Sequence, residues 1–121
     1  MNVLVVDDYE DTARVFAELA KALGHCASVA TTASAALAIA QSERLDIAFL
    51  DISLGIDDGI DVGRRIRAAR VGEQLKLIAM SGYADAMSRC EPGVFDGFLL
   101  KPVPIVQFER WLTLAGDARQ S

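Results

Sequence analysis

The sequence predicts an α/β domain built on a parallel five-stranded sheet with helices on both faces. Two observations carry this. Short apolar runs alternate with stretches of helical period five times along the chain. The runs are almost continuously apolar, as strands buried on both faces are. The 121 residues amount to one domain, with no linker, low-complexity segment or repeat beyond the strand–helix unit. Crossovers between the strands are expected to be right-handed.

The first strand covers Asn2–Val6 and runs straight into Asp7 and Asp8. A helix follows over about residues 11–23, with Val15, Phe16, Leu19 and Leu23 on one face, and Gly24 ends it as a left-handed cap. Cys26–Ala30 reads as a second, weaker strand. Thr31, Thr32 and Ser34 offer caps for an alanine-rich helix over about 33–42. Ile47–Leu50 forms the third strand, which ends at Asp51. The stretch ISLGIDDG is a loop, and a helix then spans about 60–71 with Val62, Ile66 and Ala69 on a common face.

Lys76–Met80 is the fourth strand, followed by Ser81-Gly82. At most a short helix fits 84–89, because the CEPGV stretch after it contains both proline and glycine. Gly97–Leu100 is the fifth strand and ends in Lys101-Pro102. The last helix covers about 105–114, with Ile105, Phe108, Leu112 and Ala115 facing inward. The domain is read as 1–116, with 117–121 a polar, fraying tail.

The net charge of −5 and pI near 4.7 argue against direct nucleic-acid binding, which needs a basic face. Arg64, Arg65, Arg67 and Arg70 are read as a solvated helix face. No apolar run approaches the roughly 20 residues of a membrane helix, and no signal peptide is visible, so the expected compartment is the cytoplasm. Cys26 and Cys90 lack metal-type spacing and read as reduced thiols acting as small apolar fillers. His25 is placed at the surface without a matched partner, and Trp111 is assigned to packing.

In sheets of this kind, ligands bind beyond the carboxyl ends of the strands. Those ends carry Asp7 and Asp8, then Asp51, then Ser81, then Lys101. If the first and third strands are central neighbours, three carboxylates converge there, flanked by a hydroxyl and an ammonium. Such a cluster calls for a cation, and oxygen ligands in this number suit Mg²⁺. A carboxylate can also act as a nucleophile toward phosphorus, with positive charge from Mg²⁺ and Lys101 stabilising the transferred group and Ser81 donating to it.

At these positions the sequence resembles the receiver domain of two-component response regulators, over about residues 2–115. The matching residues are Val6-Asp7-Asp8, Asp51 with Asp58-Gly59 after it, Ser81-Gly82 and Lys101-Pro102. The resemblance implies a flavodoxin-like three-layer fold with strand order 2-1-3-4-5. It implies Asp51 as phosphoacceptor from a histidine kinase or histidine phosphotransfer protein. Mg²⁺ would be held by Asp8 directly, by Asp7 through water, by Asp51 and by the backbone carbonyl of Ser53. Lys101 would contact the phosphoryl oxygens, Lys101-Pro102 would be a cis peptide, and Ser81 and Phe98 would form a switch pair.

Departures from the family pattern are Leu54-Gly55 where Met-Pro is frequent, Phe98 where many members have tyrosine, and a fourth helix shortened by Pro92-Gly93. Such a chain is a signalling protein rather than an enzyme. It acts through an unknown downstream protein, without contact to nucleic acid or membrane. Met1 just before the first strand and the polar tail suggest a stand-alone regulator. The alternatives are a pseudo-receiver that only binds, a receiver segment of a hybrid histidine kinase, and an aspartate-nucleophile phosphohydrolase. The last lacks the usual Asp-x-Asp, since Ile52 and Ser53 follow Asp51, and it lacks a cap insertion.

Overall fold

The computed structural model describes residues 1–53, 59–70, 73–83, 90 and 93–120. Strands β1 (Asn2–Val6), β2 (Cys26–Ala30), β3 (Ile47–Asp51), β4 (Lys76–Ser81) and β5 (Gly97–Leu100) form one sheet. All pairs are parallel and the order is β2-β1-β3-β4-β5, as the resemblance implies. Helices α1 (Glu10–Ala22), α2 (Ala33–Ser42), α3 (Gly59–Ala69) and α4 (Ile105–Gln120) connect and cover the strands among the described residues.

Alternation along each strand divides the core in two. Val3, Val5, Ile47, Phe49, Ile78 and Met80 face α1 and α4, where Phe108 sits with its ring centroid 4.5 Å from Phe49 and 4.8 Å from Phe16. Leu4, Val6, Ala48, Leu50 and Leu77 face the other way, toward α2 and α3. Aromatic pairs of this kind contribute about 0.5–1.5 kcal/mol each beyond the area they bury.

The helix bounds shift modestly from expectation, and the inward faces shift more. In α1 the buried residues are Ala13, Ala17 and Ala20, with Phe16 and Leu19 beside them, whereas Val15 and Leu23 are exposed. Small residues let the helix lie close to strands that already carry valine and phenylalanine. Ala69 is exposed, while Val62 and Ile66 of the same helix are buried. Ile105 is exposed at the first turn of α4, and Phe108, Leu112 and Ala115 carry the burial. α4 continues through Gln120, past the end expected at Leu114, because no proline follows to stop it. Gly24 takes a positive φ of 94°, as a left-handed cap requires. Thr32 caps α2 by accepting from the Ala35 amide at 3.1 Å. The short helix at 84–89, Leu54-Gly55 and Pro92 lie outside the described residues.

The arginine cluster is only partly solvated. Arg64 and Arg65 pair with Asp61 at the surface. Arg67 instead donates to the carbonyls of Val94 and Leu75 and to Asp96 Oδ2, clamping the entry of β5 to α3 and β4. Arg70 donates to the Glu43 carbonyl. His25 is half-buried and has a partner, the Met1 amine, 3.2 Å from Nδ1. Its burial and the nearby ammonium push its pKa down. Cys26 is exposed on edge strand β2 and fills no core, whereas Cys90 packs against Ile52, Ile60 and Ala79; neither is in a disulfide. Trp111 packs as expected, so close to Gly97 that any Cβ there would collide with its ring.

Candidate functional site

The carboxyl ends of the central strands bring the polar residues together. Asp7 follows β1, Asp51 ends β3, Ser81 ends β4, and Lys101 follows β5. The register places Asp51 opposite Met80 and Ser81 opposite Leu100, so the four positions share one edge of the sheet. Gly59 admits α3 to this edge, because a Cβ there would overlap the carbonyl of Asp51.

Asp7 and Asp51 are both buried, and Asp8 is exposed beside them. One carboxylate oxygen from each of the three lies within 4.8 Å of the others. Lys101 Nζ bridges the two buried acids, donating to Asp7 Oδ2 at 2.7 Å and to Asp51 Oδ2 at 2.9 Å. The remaining oxygens are also occupied. Asp7 Oδ1 accepts from the Tyr9 amide at 3.0 Å. Asp51 Oδ1 accepts twice from Ser53, from its amide at 2.9 Å and its hydroxyl at 2.8 Å.

This arrangement sets the charges. Burial pushes the Asp7 carboxyl up, and the bonds from Lys101 and Tyr9 offset only part of that, so its pKa is raised. Burial acts the same way on Asp51, but Lys101 together with the Ser53 amide and hydroxyl outweighs it, and its pKa is lowered. For Lys101, burial works against the ammonium, yet the bonds to Asp7 and Asp51 prevail and its pKa is raised. Asp51 is therefore the more firmly ionised of the two buried acids, which suits a nucleophile.

Ser81 is buried, and its two polar groups face different ways. Its carbonyl accepts from the Lys101 amide at 2.7 Å, and its hydroxyl accepts from the Tyr83 amide at 3.0 Å. Phe98, opposite Ala79 in the register, is half-buried against the cluster of Ile52, Ile60 and Ala79. The Lys101–Pro102 peptide bond is cis. Sequence reasoning missed the side chain of Ser53 and the amides of Tyr9 and Tyr83. A serine two residues after an aspartate is a local hydrogen-bonding pattern, and that spacing was the available signal.

The response regulator receiver domain family matches residues 3–112. An uncharacterised 14.6 kDa protein from the sodA1 3′ region of Leptolyngbya boryana is 31% identical over 113 residues, which cover 91% of this chain and 86% of that protein. The sensor histidine kinase RcsC of Escherichia coli K12 is 30% identical over 119 residues. That match takes in 97% of this chain but spans only 12% of the kinase. Among solved structures, a CheY-like receiver domain from Methylobacillus flagellatus superposes with a TM-score of 0.80 at 28% identity, covering 95% of this chain and 98% of that one. A Burkholderia pseudomallei response regulator with a phosphorylated aspartic acid, calcium ion and citrate gives 0.79 at 25% identity, covering 98% and 71%. The strand order, the acid-rich edge and the family match over almost the whole chain together place this protein among the response regulator receiver domains of two-component signalling.

Proposed function

We propose that Asp51 is the phosphoacceptor of a Mg²⁺-dependent receiver. The donor is the phosphohistidine of a histidine kinase or histidine phosphotransfer protein. Modification then switches contacts with another protein or passes the phosphoryl group along a relay. The observation that carries this reading is Asp51 Oδ2, an ionised oxygen at a strand end, held 2.9 Å from a lysine ammonium with two further carboxylates at hand.

Asp7, Asp8 and Asp51 supply hard oxygen donors that fit Mg²⁺, and the Ser53 carbonyl is a fourth candidate. When bound, the ion would neutralise charge on the acids and on the transferred oxygens. The chain's own residues perform the rest. Asp51 Oδ2 forms the bond to phosphorus as the P–N bond of phosphohistidine breaks, and the electron pair leaves on the imidazole. Lys101 donates to the transferred oxygens. The Ser81 hydroxyl turns from its contact with Tyr83 to donate to one of them, and Phe98 repacks beside it. The added charge, about −1.5 to −2, enters a site that is already acidic.

The phosphorylated aspartic acid in the B. pseudomallei relative supports this reading. ATP, the source of phosphate for a histidine kinase, is a cytoplasmic metabolite, so the reading carries a cytoplasmic location with it. The match within RcsC favours a second reading, in which this chain is a receiver segment of a hybrid kinase. Transfer from a separate kinase at a rate that rises with kinase concentration supports the first; a kinase domain in the same polypeptide supports the second.

The test is incubation with Mg²⁺ and acetyl phosphate, followed by intact mass. The wild type should gain one phosphoryl group, stable to acid and labile to base, and Asp51→Asn should gain none. No gain by the wild type, or equal gain by the variant, overturns the assignment.

A further inference from the structure

At the amino edge of the sheet, opposite the acid-rich edge, two strand pairs are fastened in the same way. Asp46, the residue before β3, donates its amide to the Asn2 carbonyl at 2.9 Å, and its Oδ2 accepts from the Asn2 amide at 2.6 Å. Asp96, the residue before β5, donates its amide to the Leu77 carbonyl at 2.7 Å, and its Oδ2 accepts from the Leu77 amide at 2.8 Å. Each reciprocal pair stands one position ahead of the first ladder partners, which are Val3 with Ile47 and Ile78 with Gly97. The carboxylate takes the place of the carbonyl that a further rung would have supplied. Two bonds running in opposite directions between the same two residues fix the offset of one strand against the other.

We propose that Asp46 and Asp96 are positioning residues for the site at the far ends of the same strands. This deepens the Mg²⁺-dependent phosphoacceptor reading and rests on it. The Asn2–Asp46 clasp joins β1 to β3, the pair that presents Asp7, Asp8 and Asp51. Asp7 follows Asn2 by the same number of residues as Asp51 follows Asp46. The Leu77–Asp96 clasp joins β4 to β5, the pair that presents Ser81 and Lys101. The packed faces of the sheet already forbid a slip of a whole residue. A smaller slide along the strand axis costs those faces little. Mg²⁺, however, demands near-ideal octahedral geometry, and phosphoryl transfer demands aligned groups. An extended strand has almost no length to give, so an offset fixed at its amino end is delivered to its carboxyl end.

Mg²⁺ binding to the full chain is measured by calorimetry, and phosphoryl uptake from acetyl phosphate at saturating Mg²⁺ by intact mass. Asp46→Ala and, from the donor side, Asn2→Pro should weaken Mg²⁺ binding about three- to tenfold. Asp46→Asn, which keeps an acceptor oxygen, should stay within about twofold of the wild type. Asp96→Ala should keep Mg²⁺ binding within about twofold and instead slow uptake about three- to tenfold, because β1 and β3 remain clasped while β4 and β5 do not. The proline falls on the first residue of a strand, where it is tolerated, so the test stands even where Asp46→Ala does not fold. Unchanged Mg²⁺ affinity in the Asn2 and Asp46 variants, equal weakening by Asp96→Ala, or wild-type uptake by Asp96→Ala overturns the proposal. A wild type that binds no Mg²⁺ overturns the metal reading of the site, and this inference falls with it.

Discussion

Lys101 Nζ sits 2.9 Å from Asp51 Oδ2, tying the end of β5 to the end of β3 across the intervening strand β4. The same ammonium reaches Asp7 beyond β1 at 2.7 Å. One cation therefore spans four adjacent strands and holds two buried anions.

Replacing Lys101 with methionine leaves both acids buried without a counter-charge. The expected loss is about 2–3 kcal/mol, below the full cost of breaking a buried pair because the lysine side chain keeps some contact with solvent. Urea unfolding at pH 7 in a chelator reads it. Adding Asp7→Asn to the methionine variant should recover part of the loss, and no recovery would place the cost elsewhere than in the acids.

The two acids on that lysine should respond in opposite directions. The carboxyl of Asp51 titrates below its ordinary 3.8, so its stabilisation is present above 3.8 and is lost as pH falls through the lower folded value. The carboxyl of Asp7 titrates above 3.8, so its contribution is greatest below 3.8 and is lost as pH rises through the higher folded value. At pH 7 without divalent ions, Asp7→Asn should stabilise the fold and Asp51→Asn destabilise it. At the alkaline end, stability should fall as pH rises above 10.5 through the raised pKa of Lys101, and Lys101→Met should lack that fall. Denaturant midpoints across pH for the wild type and the three variants give the comparison.

Divalent cations should stabilise the fold by mass action. At a Mg²⁺ concentration a hundredfold above the dissociation constant, the gain is about 2.7 kcal/mol, visible as a rise in melting temperature. Asp8→Ala should abolish most of that rise while changing the metal-free melting point little, since Asp8 is exposed. An undiminished rise in the variant would remove Asp8 from the metal site.

Arg67→Ala removes four hydrogen bonds, to the Val94 and Leu75 carbonyls and to Asp96, which itself accepts from the Leu77 amide at 2.8 Å. The expected cost is about 2–3 kcal/mol. Arg67→Lys should not rescue it, because an ammonium cannot reproduce the planar fork. Faster hydrogen exchange at the Asp96 amide, which donates to the Leu77 carbonyl at 2.7 Å, would locate the damage.

The acid-rich edge was legible because it rests on short-range facts. A strand buried on both faces shows as a run such as Val3–Val6, and although one carboxylate at a strand end is commonly a turn or cap, acids, a hydroxyl and a lysine at the ends of several strands of one sheet point to a site. Strand bounds followed from the same contrast, except that Asp51 and Ser81 proved to be the last strand residues rather than the first of the loops. Helix faces were less legible. Val15 and Ile105 are large and apolar and still point outward, because alanines allow the close approach that α1 requires and Phe108 fills the space under α4. The role of Arg67 was invisible, since its acceptor at Val94 lies 27 residues away and is a backbone carbonyl. His25 was misplaced for a similar reason, as its partner is the amine of Met1 rather than a side chain.

Asp51 and Ser81 sit on the final rungs of parallel ladders, Asp7 and Lys101 follow one residue past theirs, and neighbouring side chains on a strand point to opposite faces. A one-residue slip of β3 against its neighbours would turn Asp51 away from Lys101 and bury a hydrophobic side chain in its stead. Chemical competence and correct strand alignment are thus read by the same measurement. The connecting segments can vary in length and sequence while the chemistry persists, provided the ladder stays in step.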